Sequence, residues 1–246
     1  MRVLPPQCIR PDWRVPPRVH ALATTREGGA SSGPYASLNL GDHVGDDPAS
    51  VARNRALLEQ WLPAKPLWLA QVHGTTVVDA AEVNGEPTAD AAVTRELGVV
   101  LAVLTADCLP VLLAARDASA IGIAHAGWRG LAAGVVEATV ARMRVAPAEI
   151  VAWLGPAIGQ DAFEVGEEVR RAFADPDPTA AAAFAPGKPG KWQADLYALA
   201  RRRLAAAGVT EIHGGGYCTF ADRERFFSFR RDGRTGRMAS LLWLEA

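Results

Sequence analysis

The chain has 246 residues, with 26 Lys and Arg against 27 Asp and Glu and a formal net charge of −1, so it lacks the basic footprint of a nucleic-acid binder. The length is ample for a buried core and the composition is that of an ordinary globular protein. The most apolar run, residues 97–115, is interrupted by Asp107 and Pro110, and so reads as two buried strands and not as a membrane span.

In chain order, residues 1–13 hold Pro5, Pro6 and Pro11 but no apolar stretch of signal-peptide length, which predicts no secretion signal. Asp47-Pro48 predicts a helix start, with Asp as N-cap and Pro at the first helical position. Val51, Leu57, Leu58 and Trp61 fall on one face of that helix. Strands are expected at 68–72, 77–80, 99–104, 111–114, 121–124, 150–154 and 212–217. Helices are expected at 131–143, 164–174 and 193–207, the last closed by Gly208. Pro176, Pro178, Pro186 and Pro189 predict an irregular loop around the alanines at 180–183. Residues 226–230 and 238–244, joined by a turn with Gly233 and Gly236, read as a hairpin. Apolar strands mixed with helices argue for a layered domain of both elements, and no linker or repeat divides residues 1–246. Cys8, Cys108 and Cys218 are odd in number and far apart, which predicts free thiols and a reducing cytoplasm.

Three short runs carry the chemistry: Gln71-Val72-His73-Gly74, Thr105-Ala106-Asp107-Cys108-Leu109-Pro110 and Ala124-His125-Ala126-Gly127-Trp128-Arg129-Gly130. His73, Cys108 and His125 supply three borderline-to-soft ligands without a fourth, a count that suits a catalytic zinc with an open position. Their spacing is too long for a zinc finger, so the fold itself must bring them together. The competing reading is two core histidines and an inert thiol. Gly127 to Gly130 opens a helix where Arg129 and free N–H groups suit an anion. Arg26, in Thr24-Thr25-Arg26-Glu27-Gly28-Gly29, is a second anion candidate. The acidic run Asp42-His43-Val44-Gly45-Asp46-Asp47 lacks Ca-loop spacing and reads as a turn plus a cap. Gly29-Ala30-Ser31-Ser32-Gly33 matches a nucleophile elbow, and residues 213–216 an oxyanion motif, but the flanking elements and chain order are wrong for an esterase. Trp128, Phe226 and Phe227 read as core aromatics before purine-stacking ones.

The runs T-T-R-E-G-G (24–29), G-P-Y-A-S-L-N-L-G-D-H-V-G-D (33–46), Q-V-H-G (71–74), T-A-D-C-L-P (105–110), A-H-A-G-W-R-G (124–130) and F-F-S-F-R-R-D-G-R-T-G-R-M-A (226–239) together resemble the YfiH-like, laccase-domain family. One departure is Phe229, where a Tyr is usual. The resemblance implies an α+β fold, a four-layer αββα sandwich with mixed sheets related distantly to cysteine-dependent deamidases. It implies that His73, Cys108 and His125 bind zinc, with copper as the alternative metal. It further implies phosphorolysis of purine nucleosides (adenosine, inosine, guanosine, methylthioadenosine) with phosphate, and adenosine deamination. Arg26, Asn39 and Arg129 are then the candidates for phosphate and substrate contacts, and the proton-transfer role of Asp107 is left open. No nucleic-acid or membrane partner is expected. Two alternatives stand beside this reading. One is a cysteine hydrolase, or peptidoglycan-precursor editing factor, using Cys108 and a histidine. The other is copper-dependent polyphenol oxidation, against which the sequence offers only five histidines and no H-x-H pair.

Overall fold

The computed structural model describes residues 8–245; the part of the expected leaderless start before Cys8 lies outside them. The chain runs β1 (Val19–Ala23), α1 (Pro48–Glu59), β2 (Pro66–Leu67), β3 (Val77–Asp79), β4 (Ala91–Thr94), β5 (Val100–Thr105), β6 (Leu109–Ala115) and β7 (Ile121–Ala126). It continues with α2 (Trp128–Ala133), α3 (Val135–Met143), β8 (Ile150–Leu154), β9 (Glu164–Gly166), α4 (Glu167–Ala174), β10 (Phe184–Pro186) and β11 (Lys191–Ala194). The last elements are α5 (Leu196–Ala206), β12 (Glu211–Gly214), α6 (Phe229–Asp232) and β13 (Met238–Leu244).

Two mixed sheets carry the architecture, one of four strands in the order β1-β13-β5-β2 and one of six in the order β12-β8-β6-β7-β4-β3. β5, β6, β7, β8 and β13 are buried at every position. Strands covered on both faces can be apolar throughout, which is why they do not alternate. Leu101, Val103 and Leu242 of the smaller sheet meet Leu112, Ile121, Ile123 and Trp153 of the larger one. The outer face of the larger sheet is covered by Leu131, Val135, Val136, Val140, Leu199 and Leu204 of the helices. On the far side, Leu58 and the neighbouring Leu62 close over Val100, Ala102, Leu241 and Trp243. The result is helix, sheet, sheet, helices, the four layers the family resemblance implies. A three-stranded sheet, β10-β11-β9, is added beside the helices.

Several local expectations need correction. The strand expected at 68–72 does not form: β2 ends at Leu67, Ala70 makes only an isolated bridge to Thr88, and the chain departs toward His73, whose φ is 61°. The helix expected at 131–143 starts earlier and breaks at Gly134, which takes φ 100° between α2 and α3. Residues 164–166 and 193–194 are strand, not helix, and α5 begins only after Asp195, whose carboxylate caps the Ala198 N–H. The strand from Ile212 ends at Gly214, whose φ of 73° turns the chain. The proline-rich loop holds a 3₁₀ turn and β10. Residues 226–230 do not form a hairpin with β13: Phe226 and Phe227 are fully buried in irregular chain, Phe229 starts α6, and β13 pairs antiparallel with β1 and β5. β1 and β4, too short and small-sided to register as periodic, are additional strands. The cap at Asp47 forms as expected, its carboxylate accepting from the Ala49 and Ser50 N–H groups. Leu57 on that helix is exposed, and Leu62 is buried in the cluster instead.

Candidate metal centre and active-site cavity

The ligand candidates lie where the chain passes from one sheet to the other. His73 is on the link from β2 to β3, and Cys108 on the short link from β5 to β6. His125 is on β7, in register with Pro110 of β6. The donor atoms of His73, Cys108 and His125 all lie within 4.8 Å of one another. Cys108 Sγ is 3.7 Å from His73 Nε2, and the two imidazoles meet edge-on at 4.7 Å.

Asp90, at the foot of β4, organises this group. Its carboxylate is fully buried and accepts the N–H groups of Val72 (3.2 Å), His73 (2.8 Å) and Gly74 (2.6 Å). It also accepts Nδ1–H of His125 at 2.8 Å, which fixes the tautomer and leaves Nε2 free as a ligand. Burial alone would raise the Asp90 pKa, but the hydrogen bonds from His125 and Gly74 bring it below the ordinary carboxylate value. Gln71 secures the other side of the loop through a reciprocal pair, Nε2 to Leu104 O at 2.8 Å and Leu104 N to Oε1 at 2.7 Å. Cys108 is presented by Asp107, whose backbone takes φ 96°. The Asp107 carboxylate accepts the Thr219 hydroxyl and the Arg230 N–H, both at 2.6 Å.

The glycines of the third run are required by close approach. A Cβ on Gly127 would lie 2.9 Å from both Cys108 Sγ and His73 Cδ2, and one on Gly130 would lie 2.9 Å from Gly74 O. Burial opposes ionisation of Cys108, yet the charges and hydrogen bonds of His125 and His73 lower its pKa to about 6. Burial likewise opposes protonation of His125, and the Cys108 charge with the Asp90 hydrogen bond raises its pKa to about 9. Two imidazoles and a readily ionised thiol, ordered by a carboxylate behind one of them, suit a divalent borderline cation.

A cavity of about 280 Å³ opens over the triad, walled by His73, Cys108, Trp128, Arg129, Phe229 and Arg230 among others. Arg129 lies over the Trp128 ring at 4.5 Å and has no hydrogen-bond partner among the described residues. Arg26 and Asn39 do not line this cavity. Arg26 donates to Ala36 O and Arg223 O and lies over Phe227. Asn39 is fully buried, donating to Gly41 O and Asp46 and accepting from the N–H groups of Gly41 and Arg237. In the acidic run, Asp46 binds Ser31 and Asn39, and Asp42 pairs with Arg55 and His43. Ser31 is therefore committed to a carboxylate, and His213 pairs with Glu211. Phe226 and Phe227 are core, as expected, whereas Trp128 faces the cavity.

The profile of the family described as multi-copper polyphenol oxidoreductase laccase matches residues 20–245. The chain belongs to this YfiH-like, laccase-type family. A family relative from Pseudomonas aeruginosa, named purine nucleoside phosphorylase, is 54% identical over 96% of this chain and 98% of its own. An Escherichia coli member, named purine nucleoside phosphorylase YfiH, is 52% identical over 96% of this chain and 98% of its own. The crystal structure of a Neisseria meningitidis member has a TM-score of 0.95 at 53% identity, covering 98% of this chain and all of that one. No helix among the described residues is long and apolar enough to cross a membrane.

Sequence reading missed three participants. Asp90 was detectable only as a lone carboxylate directly before an apolar strand, Ala91–Thr94. Gln71 stood inside a recognised run but carried no chemical signal. Phe229, at 58% exposure in the cavity wall, was noted only as a departure from Tyr.

Proposed function

We propose that the chain is a zinc-dependent purine nucleoside phosphorylase that also deaminates adenosine. The observation that carries this reading is the convergence of His73, Cys108 and His125 beneath a cavity with aromatic and cationic walls, in a chain whose relatives bear the phosphorylase name. His73, Cys108 and His125 would hold the metal. Once bound, a zinc ion would supply Lewis-acid polarisation and acidify water at its open position.

The remaining work falls to side chains. Trp128 and the exposed Phe229 present faces on which a purine can stack. Arg129 is an unpaired cation in the same wall and contacts the substrate. Asp90 keeps a proton on His125 Nδ1, so the imidazole is held in its ligating tautomer. Asp107, bonded to Thr219 and the Arg230 N–H, supports the Cys108 turn at the cavity wall. Fixing nucleoside and phosphate together removes the entropy of encounter, an effect worth about 7–11 kcal/mol at its fullest.

A second reading is favoured by the ionisation of the pair. A Cys108 thiol near pKa 6 facing an imidazole near 9 is also how a cysteine nucleophile is activated, as a hydrolase or cell-wall precursor editing factor requires. Multicopper oxidation is disfavoured, because His20, His43 and His213 are engaged with Glu245, Asp42 and Glu211, leaving two imidazoles at the centre.

The deciding experiment incubates metal-analysed protein with adenosine, inosine, guanosine and methylthioadenosine, with and without phosphate, and separates the products. Phosphate-dependent release of free base, lost in His73→Ala, is the expected result. Absence of turnover in protein with stoichiometric zinc would overturn the phosphorylase reading. Alkylation-sensitive hydrolysis that survives chelation would put the cysteine reading in its place.

A further inference from the structure

A second cavity, of about 410 Å³, shares Phe229 with the first and is otherwise lined by His43, Val44, Gly233, Arg234, Thr235 and Arg237. Its donors are unusually free. Arg237 uses Nη1 on the carbonyls of Thr235 and Gly236, each at 3.1 Å, and its Nε and Nη2 have no partner among the described residues. The Arg237 backbone is pinned by Asn39 Oδ1 at 2.8 Å, and its stem lies so close to Gly41 that a Cβ there would approach its Cγ to 2.8 Å. Arg234 donates Nε to the Tyr35 hydroxyl at 2.6 Å and Nη2 to Gly45 O at 3.1 Å, leaving Nη1 unused.

Neither guanidinium forms an ion pair with a carboxylate among the described residues, and Asp42, next to lining residue His43, pairs with His43 at 3.4 Å and with Arg55. Thr235 is 2% exposed, and its hydroxyl is buried without a hydrogen-bond partner. An orphaned buried hydroxyl costs stability unless something satisfies it, and one χ1 rotation exchanges it with the methyl group. Burial lowers the Arg237 pKa while the charges of Cys108 and Asp107 act to raise it, so this guanidinium is within electrostatic reach of the triad.

We propose that this second cavity is an oxyanion site and that it holds the phosphate co-substrate beside a nucleoside seated over the triad. The assignment rests on the phosphorylase reading for the identity of the anion, and on Arg234, Thr235, Arg237 and His43 for its place. The free Nε and Nη2 of Arg237, the free Nη1 of Arg234 and the Thr235 hydroxyl offer a tetrahedral oxyanion donors from three side chains, where Arg129 offers one guanidinium alone. In the reaction, an oxygen of hydrogen phosphate bonds to ribose C1′ as the C1′–N9 bond breaks. The bonding pair leaves with the purine, and the phosphate proton passes to the base, giving ribose 1-phosphate and free purine without change of total charge. Phe229, common to both walls, is where the two substrates adjoin.

The test titrates inorganic phosphate into purified protein while following the thermal midpoint, and separately measures KM for phosphate and for inosine. Arg237→Gln and Arg234→Gln should each weaken phosphate at least about tenfold, and Thr235→Val by a few-fold. In all three the inosine KM should be little changed, and Arg129→Gln should leave phosphate affinity intact. Should Arg237→Gln fail to fold, exposed Arg234 and the near-isosteric Thr235→Val carry the same comparison. Equal phosphate affinity in wild type and all three variants, or a loss confined to Arg129→Gln, overturns the site. The two claims fail separately. Phosphate binding that depends on Arg237 without nucleoside cleavage sinks the phosphorylase reading and leaves an oxyanion site. Cleavage with an unaltered phosphate KM in the variants sinks the site and leaves the phosphorylase.

Discussion

Asp90 is one carboxylate with four donors, three of them successive backbone N–H groups and the fourth the ring of His125. Removing it strands those donors and frees both histidines to reorient. Asp90→Asn should weaken zinc about 10- to 100-fold in a competition titration, and Asp90→Ala should also cost stability, about 3–5 kcal/mol in denaturant melts. Its native pKa is lowered, so in metal-free protein its contribution is complete above the unfolded carboxylate value of about 3.9. That contribution disappears as pH falls through the lower native value, and Asp90→Asn should flatten this acid limb. Cys108 and Cys8 make a second comparison at this scale. Burial pushes the Cys8 thiol up to about 11, whereas Cys108 sits at about 6. Iodoacetamide on metal-free protein at pH 7 should therefore label Cys108 well before Cys8, with the rate dropping as pH falls below 6. Zinc should protect Cys108; equal labelling of the two by peptide mapping would contradict the assigned ionisation.

At the scale of elements, α2 is placed by what its glycines lack. Gly127 and Gly130 let the start of this helix lie against Cys108, His73 and Gly74 O. Gly127→Ala should abolish stoichiometric metal binding, measured by atomic absorption after dialysis, while the far-ultraviolet circular dichroism is retained. Gly134→Ala would put a Cβ at φ 100° and should destabilise by more than about 1 kcal/mol, without acting on the metal. These positions also mark what the sequence made legible. The three runs with His73, Cys108 and His125 stood out because their chemistry is local to each run. Asp90 did not, since its meaning arises only when β4 is laid beside β7. Helix starts at Pro48 and Leu196 carry their own capping carboxylates, although the second is expected three residues too early, at Gln193. Residues 226–230 have strand-like composition, yet Phe226 and Phe227 are buried by a corner and not by a ladder, a difference that periodicity over five residues cannot express. Asn39, a candidate substrate contact, has its amide bonded to Gly41, Asp46 and the Arg237 N–H, partners that lie far from it in sequence or carry no signal of their own.

Across the whole molecule, stability rests on the contact between the two sheets. Leu112 and Trp153 are almost wholly excluded from solvent there, and Leu112→Ala should cost about 2–5 kcal/mol, read as a shift in the urea midpoint at constant slope. The four layers were visible in outline because continuous apolar strands have to be covered on both sides. Their order was not, because the pairing of β1 with β13, from Val19 against Leu244 to Ala23 against Ser240, spans almost the full described chain. The triad has a mechanical side too. His73 and Cys108 lie on two of the links by which the chain steps between the sheets, so an ion gripped by both, together with His125, would act as a rivet through the sandwich. Loading it should raise the melting temperature steadily with free zinc, by an amount equivalent to about 2.7 kcal/mol at a hundredfold excess over Kd. Stripping it should speed amide exchange first at the ends of β5 and β6 nearest the rivet. An ion placed for chemistry would then also set how far the two halves of the sandwich can part.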